Sequence, residues 1–464
     1  MEHTATGWWL REAGPVTPRP PLAGAAEADV VIAGGGYAGM WTAWHLLERE
    51  PGARVAILES GVCGHGPSGR NGGFVDSLRF AAPRLRKMAG DAGARATIAA
   101  SLDSVRQIGE WAVAEGVDCA YHPSPQLMVS TAPAQDGAWE AIVGAHAALG
   151  DPGGCRELTA AEVRARCASP VFRGGALAQG SATVDPGRLA LGLRDRLLAR
   201  GAAVHEHSRV VALREGPDGV VARTAGGGTV RAGVAVLAIG GALAAVPGRR
   251  TALTLTSSHI VLTEPVPDVL ERLGWAGAEP ITDARVLIHY LRPTPDGRIL
   301  FGWGGGRIAA GGRRHGRAEV DAAITERARL DLLRFFPMLE GRRVEHAWGG
   351  PIDASPNHLP AIRALGPRTW TVGGFTGNGV GPSHLCGRIL ARLARGARDG
   401  LTGLPMVDPA PARLPPEPLR WAGGTAIRAA LDRKERAEEA GRRPGALDRT
   451  LAAVPDLIGV HIGR

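Results

Sequence analysis

At 464 residues, with 44% hydrophobic and 21% charged residues, the chain is long enough for two units sharing an extensive core and is neither disordered nor fibrous. Its net charge of +9 does not mark a nucleic-acid binder, because all but two of its 54 basic residues are arginine, spread along the chain with no aromatic-interleaved basic block. Five cysteines without paired spacing suggest neither a disulfide framework nor a metal site, and the absence of a leader-like start or an 18-residue apolar run leads us to expect a cytoplasmic protein with no membrane span.

Residues 1–27 read as a polar, proline-rich lead pinned to the surface by Trp8, Trp9 and Leu10. The apolar run 29–33 then breaks into Gly34-Gly35-Gly36-Tyr37-Ala38-Gly39, after which apolar residues recur at Met40, Ala43, Trp44 and Leu47, giving strand, tight turn and helix. Gly34 turns the chain, Gly36 lets the backbone approach a pyrophosphate, and Gly39 permits close packing of helix on strand. The helix start, with Tyr37 and Ala38 in its first turn, offers free N–H groups to the phosphates. A second strand, 53–58, ends at Glu59, twenty residues beyond Gly39 and followed by Ser60, where an acid accepts hydrogen bonds from ribose hydroxyls. The glycine spacing alone is a weak signal; with strand, helix, strand and terminal acid around it, dinucleotide binding is the expectation.

A nicotinamide enzyme would continue into further βα units. Here a second polar glycine loop follows, Gly66-Pro67-Ser68-Gly69-Arg70-Asn71-Gly72-Gly73-Phe74. The stretch 28–74 resembles the FAD-binding amino terminus of the D-amino-acid oxidase superfamily, and SGRNGG resembles the branch that contains gamma-glutamylputrescine oxidoreductase and the glycine and sarcosine oxidases. The resemblance implies that Ser68, Gly69, Arg70, Asn71, Gly72 and Gly73 contact FAD.

Between 81 and 167 the pattern is mainly helical, with Ile98, Leu102, Val105, Ile108 and Val113 at helix spacing over 94–115 and a short strand at 127–130. A helix over 188–200 and strands over 204–213, 219–224 and 229–239 return to the cofactor sheet. The resemblance sets Val210 or Val211 against the adenine and Gly240 beside the dinucleotide. Strands over 253–263, 286–292 and 298–301 are read as an antiparallel sheet that, in the resemblance, roofs the flavin, and a helix follows at 319–335. The segments 348–353 and 359–362 look like a third return to the cofactor unit. The strand 370–372 then breaks into Gly373-Gly374-Phe375-Thr376-Gly377-Asn378-Gly379-Val380 before a helix over 383–395. This loop, through Gly374, Gly377, Asn378, Gly379 and Val380, would face the flavin ring, where a helix N-terminus stabilises negative charge as electrons arrive. Beyond 401 the sequence turns proline-rich, then helical over 420–441, and ends in a short tail.

The fold class expected is α/β: a Rossmann-like FAD-binding domain of glutathione-reductase-2 type (28–80, 168–250 and 346–400) interleaved with an α+β substrate domain on an antiparallel sheet (81–167 and 251–345). A lead (1–27) and a C-terminal helical extension (401–464) flank them. The resemblance implies oxidation of a carbon–nitrogen bond, with hydride passing to flavin N5 and the imine then hydrolysed. The partners would be a small-molecule amine or amino acid and oxygen or another electron acceptor. Such chemistry asks the protein for orientation and a dry pocket rather than an acid–base dyad. Relatives that tether the flavin use a cysteine where Gly349 stands or a histidine where Arg70 or Asn71 stands, so noncovalent FAD is expected; Cys386 reads as a buried apolar residue and His65 as a conceivable attachment point. Tyr290 and Arg292 share one strand face, and an arginine there or at Arg307 would hold a substrate carboxylate or phosphonate. His259 and His289 are similarly placed. Several superfamily oxidases hold a lysine over the flavin that speeds reaction with oxygen, and 253–345 contains no lysine. The alternative reading is a flavin-binding protein without turnover that serves as a scaffold.

Overall fold

The computed structural model describes residues 1–313, 315–410 and 413–461. Ala25–Ala33 is the centre of the first sheet, flanked in parallel by Val55–Leu58 and Thr229–Leu237, with Ala203–His205 and Thr369–Gly373 extending it on either side. Parallel strands are covered on both faces, which is why 30–33 is a continuous apolar run and wholly buried. One face carries helices Tyr37–Arg49 and Val380–Leu393. A Cβ on Gly387 would lie 2.5 Å from that of Trp41, so glycine lets these two helices touch. The other face is covered by the antiparallel strands Val210–Gly216 and Gly219–Thr224. Thr229–Leu237 serves both layers, pairing with Gly219–Thr224 through its first half and with Thr369–Gly373 through its second.

The second sheet has ten strands and is antiparallel except where Glu2–His3 joins Val344–Ala354 and where Ile281–Asp283 joins His122–Val129. Its middle is Val344–Ala354, Thr254–Thr263, Ile299–Trp303 and His289–Pro293. Its outer face packs on helix Ala322–Phe335 through Phe301, Trp303, Phe335 and Phe336. The buried Trp8 and Trp9 pin the lead against its inner face beside Ile260, Leu300 and Trp348.

Two strands lie elsewhere than the sequence suggests. Gly175–Thr183 and Val344–Ala354, both read as parts of the cofactor unit, pair in the ten-stranded sheet, the latter along nearly all of Thr254–Thr263. Alternation identifies a strand but not its partner, and partners here are chosen by contacts far away in sequence. The helix expected at 94–115 is longer, Ala82–Ala114, and bends at Gly90, where φ is 65°. The C-terminal segment holds two helices, Leu419–Glu439 and Ala446–Leu457, where one helix and a tail were expected. The first is anchored deeply. Glu435 accepts hydrogen bonds from the fully buried Arg285 (3.0 Å) and from the Val286 N–H (2.7 Å), and Glu439 pairs with the same guanidinium at 2.8 Å.

Candidate active site

One cavity of about 1980 Å³ runs from the 34–38 turn, past both glycine loops, to the underside of the ten-stranded sheet. Drug-sized ligands occupy roughly 300 to 1,000 Å³. The space therefore accommodates a dinucleotide and a second molecule together.

At one end Gly34 (φ 106°) approaches the neighbouring strand so closely that a Cβ would lie 2.3 Å from the Ala238 carbonyl oxygen. A Cβ on Gly39 would lie 2.0 Å from the Gly34 oxygen, so this glycine allows helix to meet strand. Gly36 differs from both. It caps helix Tyr37–Arg49 in extended conformation, and its missing side chain faces the cavity with only Ser68 Oγ nearby, at 3.0 Å. The Tyr37 N–H donates to that hydroxyl at 2.9 Å, while the Tyr37 side chain turns into the core and donates to the Pro186 carbonyl. Glu59 sits at the end of Val55–Leu58, its carboxylate fixed by the N–H groups of Gly35 and Gly61, each at 2.7 Å. Ala38, Ser60, Val210, Val211 and Gly240 line the same end.

Farther along, Arg70, Asn71 and Gly72 line the cavity, whereas Gly69 and Gly73 serve packing. A Cβ on Gly69 would strike Leu10, and one on Gly73 the Val184 carbonyl oxygen. The Arg70 guanidinium is buried and bound to the Ala5 carbonyl and to Glu319 at 3.3 Å, with burial lowering its pKa. Asn71 closes its own loop, donating to the Ser68 carbonyl at 2.7 Å and accepting from the Gly73 N–H at 2.7 Å. Across the cavity Gly377, Asn378, Gly379 and Val380 form the second glycine turn at the start of helix Val380–Leu393. Gly374 stands behind it, with φ 81° and its N–H on Asp353 Oδ2 at 2.7 Å. Burial pushes the Asp353 carboxyl up to about 6, against the opposing pull of the Gly374 and Phe375 amides. Asn378 Oδ1 is buried with no hydrogen-bond partner among the described residues.

The roof divides the expected substrate residues. Tyr290 lines the cavity; its hydroxyl is 2.8 Å from Ser258 Oγ, and burial raises its pKa to about 12, which keeps it protonated. Arg292 shares that strand face but is shut in below it, donating to the carbonyls of Gly72 (2.7 Å) and Val184 (2.6 Å) with Trp9 packed over it, so it braces the flavin loop instead of meeting a carboxylate. Arg307 turns out of the cavity to Asp321 at 2.5 Å. His259 lies on the opposite face of its strand, wholly buried under Gly349, where burial lowers its pKa to about 4. The cavity face of Thr254–Thr263 carries Thr254, Thr256, Ser258 and Ile260 instead. Both faces of this strand are mixed in polarity, so alternation could not say which one looks inward. His289 is likewise on the outer face, between Asp283 (2.6 Å) and Asp331 (3.1 Å). Glu319 and Asp353 are cavity carboxylates that the sequence reading did not single out.

Two helix N-termini opening on a cavity floored by glycine turns and roofed by an antiparallel sheet make this a dinucleotide-binding protein. Asn378 Oδ1, the open side of Gly36 and the fixed Glu59 carboxylate all fit FAD. The chain belongs to the family DAO, FAD dependent oxidoreductase, which it matches over residues 29–393. It is 28% identical to gamma-glutamylputrescine oxidoreductase of Escherichia coli (strain K12) over 85% of this chain and 90% of that one. It is 27% identical to the probable oxidoreductase OrdL of Rhizobium meliloti (strain 1021), over 89% and 91%. Among solved structures, glycine oxidase from Geobacillus kaustophilus shares the fold with a TM-score of 0.67 at 21% identity, covering 81% of this chain and 96% of that one. Among the described residues no helix is long and apolar enough to cross a membrane.

Proposed function

We propose that this FAD-dependent oxidoreductase oxidises the carbon–nitrogen bond of an amine or amino acid, and that the pyrophosphate lies at Gly36 to Ala38, the ribose hydroxyls at Glu59 and the flavin ring at Gly377 to Val380. The observation that carries the proposal is the continuity of one cavity from the first glycine turn to the Ser258–Tyr290 pair. Similarity to gamma-glutamylputrescine oxidoreductase supports the choice of a C–N bond over other donors. Bound FAD supplies the two-electron acceptor. The chain's own residues orient and desolvate the donor: Tyr290 presents a protonated hydroxyl, and the apolar surroundings lower an ammonium's pKa so that the amine becomes neutral. Glu319 lines the cavity paired with Arg70. Asp353 holds the Gly374 turn in place. The carbon beside the neutral nitrogen loses a hydride, the resulting iminium takes up water, and a carbonyl compound and the freed alkylammonium or ammonium leave. Five free, buried cysteines support a reducing compartment such as the cytoplasm.

Anaerobic mixing of the yellow protein with a panel of amines, N-methyl amino acids and D-amino acids tests this reading. Bleaching of the flavin by at least one member is expected. An intact spectrum against the whole panel would favour the flavin-binding scaffold instead.

A further inference from the structure

The family match ends at residue 393, yet the cavity does not end with the family's residues. Helix Leu419–Glu439 turns one face into it: Arg420, Gly423, Gly424, Ile427, Arg428 and Leu431 recur at three- and four-residue spacing and all line the wall. Anchors along its length fix that face. Arg420 donates to the Leu253 carbonyl at 3.0 Å, Arg428 to the Gly305 carbonyl at 2.7 Å, and Glu435 holds Arg285.

The two adjacent glycines have a cost that points to their use. Glycine within a helix is less favourable than alanine, so a consecutive pair, Gly423 exposed at the mouth of the cavity and Gly424 half-buried in its wall, needs a reason. A Cβ on Gly423 would meet nothing within 4 Å, and one on Gly424 would only touch the Ile308 side chain at 3.5 Å. Packing against the protein does not require either glycine. Gly424 leaves space open in the cavity wall, and Gly423 leaves its mouth open to solvent. The side chains that line this part of the cavity are largely apolar: Ile427 and Leu431 on the same helix, Pro455 from the second with the exposed Ile458 just past its end, and Leu287 and Ile308 from the roof. Arg428 keeps its charge but commits Nε and Nη2 donors to backbone carbonyls.

We infer that the C-terminal helical pair builds an apolar subsite for the alkyl or aryl portion of the substrate amine, remote from the reacting C–N bond, with Gly423 and Gly424 keeping it open. This rests on the amine reading above. It makes the extension a determinant of specificity and the substrate class that of amines with an extended apolar group.

The test uses the holoenzyme and primary amines whose carbon beside nitrogen is quaternary, from tert-butylamine upward by one methylene at a time. They have no hydrogen to transfer and so report binding alone, through the visible spectrum of the flavin. Affinity is expected to rise about fourfold per methylene until the space is filled, as for full burial of a CH₂. Gly423→Phe and Gly424→Leu should flatten that rise while leaving tert-butylamine within about twofold of wild type, the range of an unchanged polar end. Gly423→Ala should keep the rise. Affinity independent of length in the wild type, or an equal loss for all members in both filling variants, overturns the subsite. Failure of every oxidisable amine to bleach the flavin, with the length dependence intact, would instead overturn the reaction and leave the subsite standing.

Discussion

Gly36→Val separates the cofactor from the fold. Gly36 has φ −81° and ψ 179°, which any residue adopts, and its added Cβ would press only on Ser68 Oγ at 3.0 Å. The apoprotein therefore loses a favourable helix cap, about 1 kcal/mol, and a hydroxyl shifts by a few tenths of an ångström. In a chain of this size that is a fall of about one or two degrees in Tm. The cofactor loses far more. A side chain at Gly36 holds the phosphates off the N–H groups of the helix start, and two charge-assisted hydrogen bonds at about 1.5 to 3 kcal/mol each amount to roughly 3 to 6 kcal/mol. Titrating apoprotein with FAD by absorbance should show affinity weakened at least about 100-fold, since 1.4 kcal/mol is a factor of ten. Gly39→Val is the contrast, because its Cβ would overlap the Gly34 carbonyl at 2.0 Å and the fold itself should fail. Wild-type FAD affinity in Gly36→Val would refute the placement of the phosphates. So would a collapse in Tm matching that of Gly39→Val.

Acid precipitation should release the colour, because Gly349 and the SGRNGG loop offer no tethering side chain and Cys386 is buried in a helix core; a pellet that stays yellow through repeated washing would contradict this, with half-buried His65 the first suspect. Reoxidation of the reduced protein by oxygen should be slow, since among the described residues neither lysine lines the cavity, the Arg70 charge is answered by Glu319, and Arg307, His259 and His289 all point away from it. Stopped-flow mixing that shows rates matching lysine-bearing oxidases would sink that expectation, and Arg307→Ala or His259→Ala should leave the rate unchanged. Burial alone would push the His289 pKa down, but Asp283 and Asp331 outweigh it and raise it, despite opposition from Arg285. Its stabilising charge is complete below its ordinary value of about 6.5 and is lost as pH rises through the raised one. Tm should thus fall on going alkaline, and His289→Gln should show a flatter profile over that range; parallel profiles would show that the network does not titrate with folding.

The turns expected to hold the cofactor were legible as local structure because their geometry is local. The Gly34-Gly35-Gly36-Tyr37-Ala38-Gly39 turn, the acid at Glu59 and the second turn at Gly377 to Val380 each place backbone N–H groups by conformations that neighbouring residues dictate, and the structure puts these residues around one cavity. The substrate end was not legible, because it depends on which face of a strand looks inward and which strand lies beside it. Thr254–Thr263 has polar residues on both faces, so His259 and Ser258 could be told apart only by the packing of helix Ala322–Phe335 behind the sheet. Arg292 was rightly placed on the face with Tyr290, yet its reach is taken up by the Gly72 and Val184 carbonyls, 220 and 108 residues away in sequence. The extension past residue 401 showed helical periodicity alone, and nothing local announces that Glu435 meets Arg285 across 150 residues. Local backbone geometry is written in short stretches of sequence; long-range side-chain pairing belongs to the tertiary fold, because it is settled by competition among all surfaces the chain brings together.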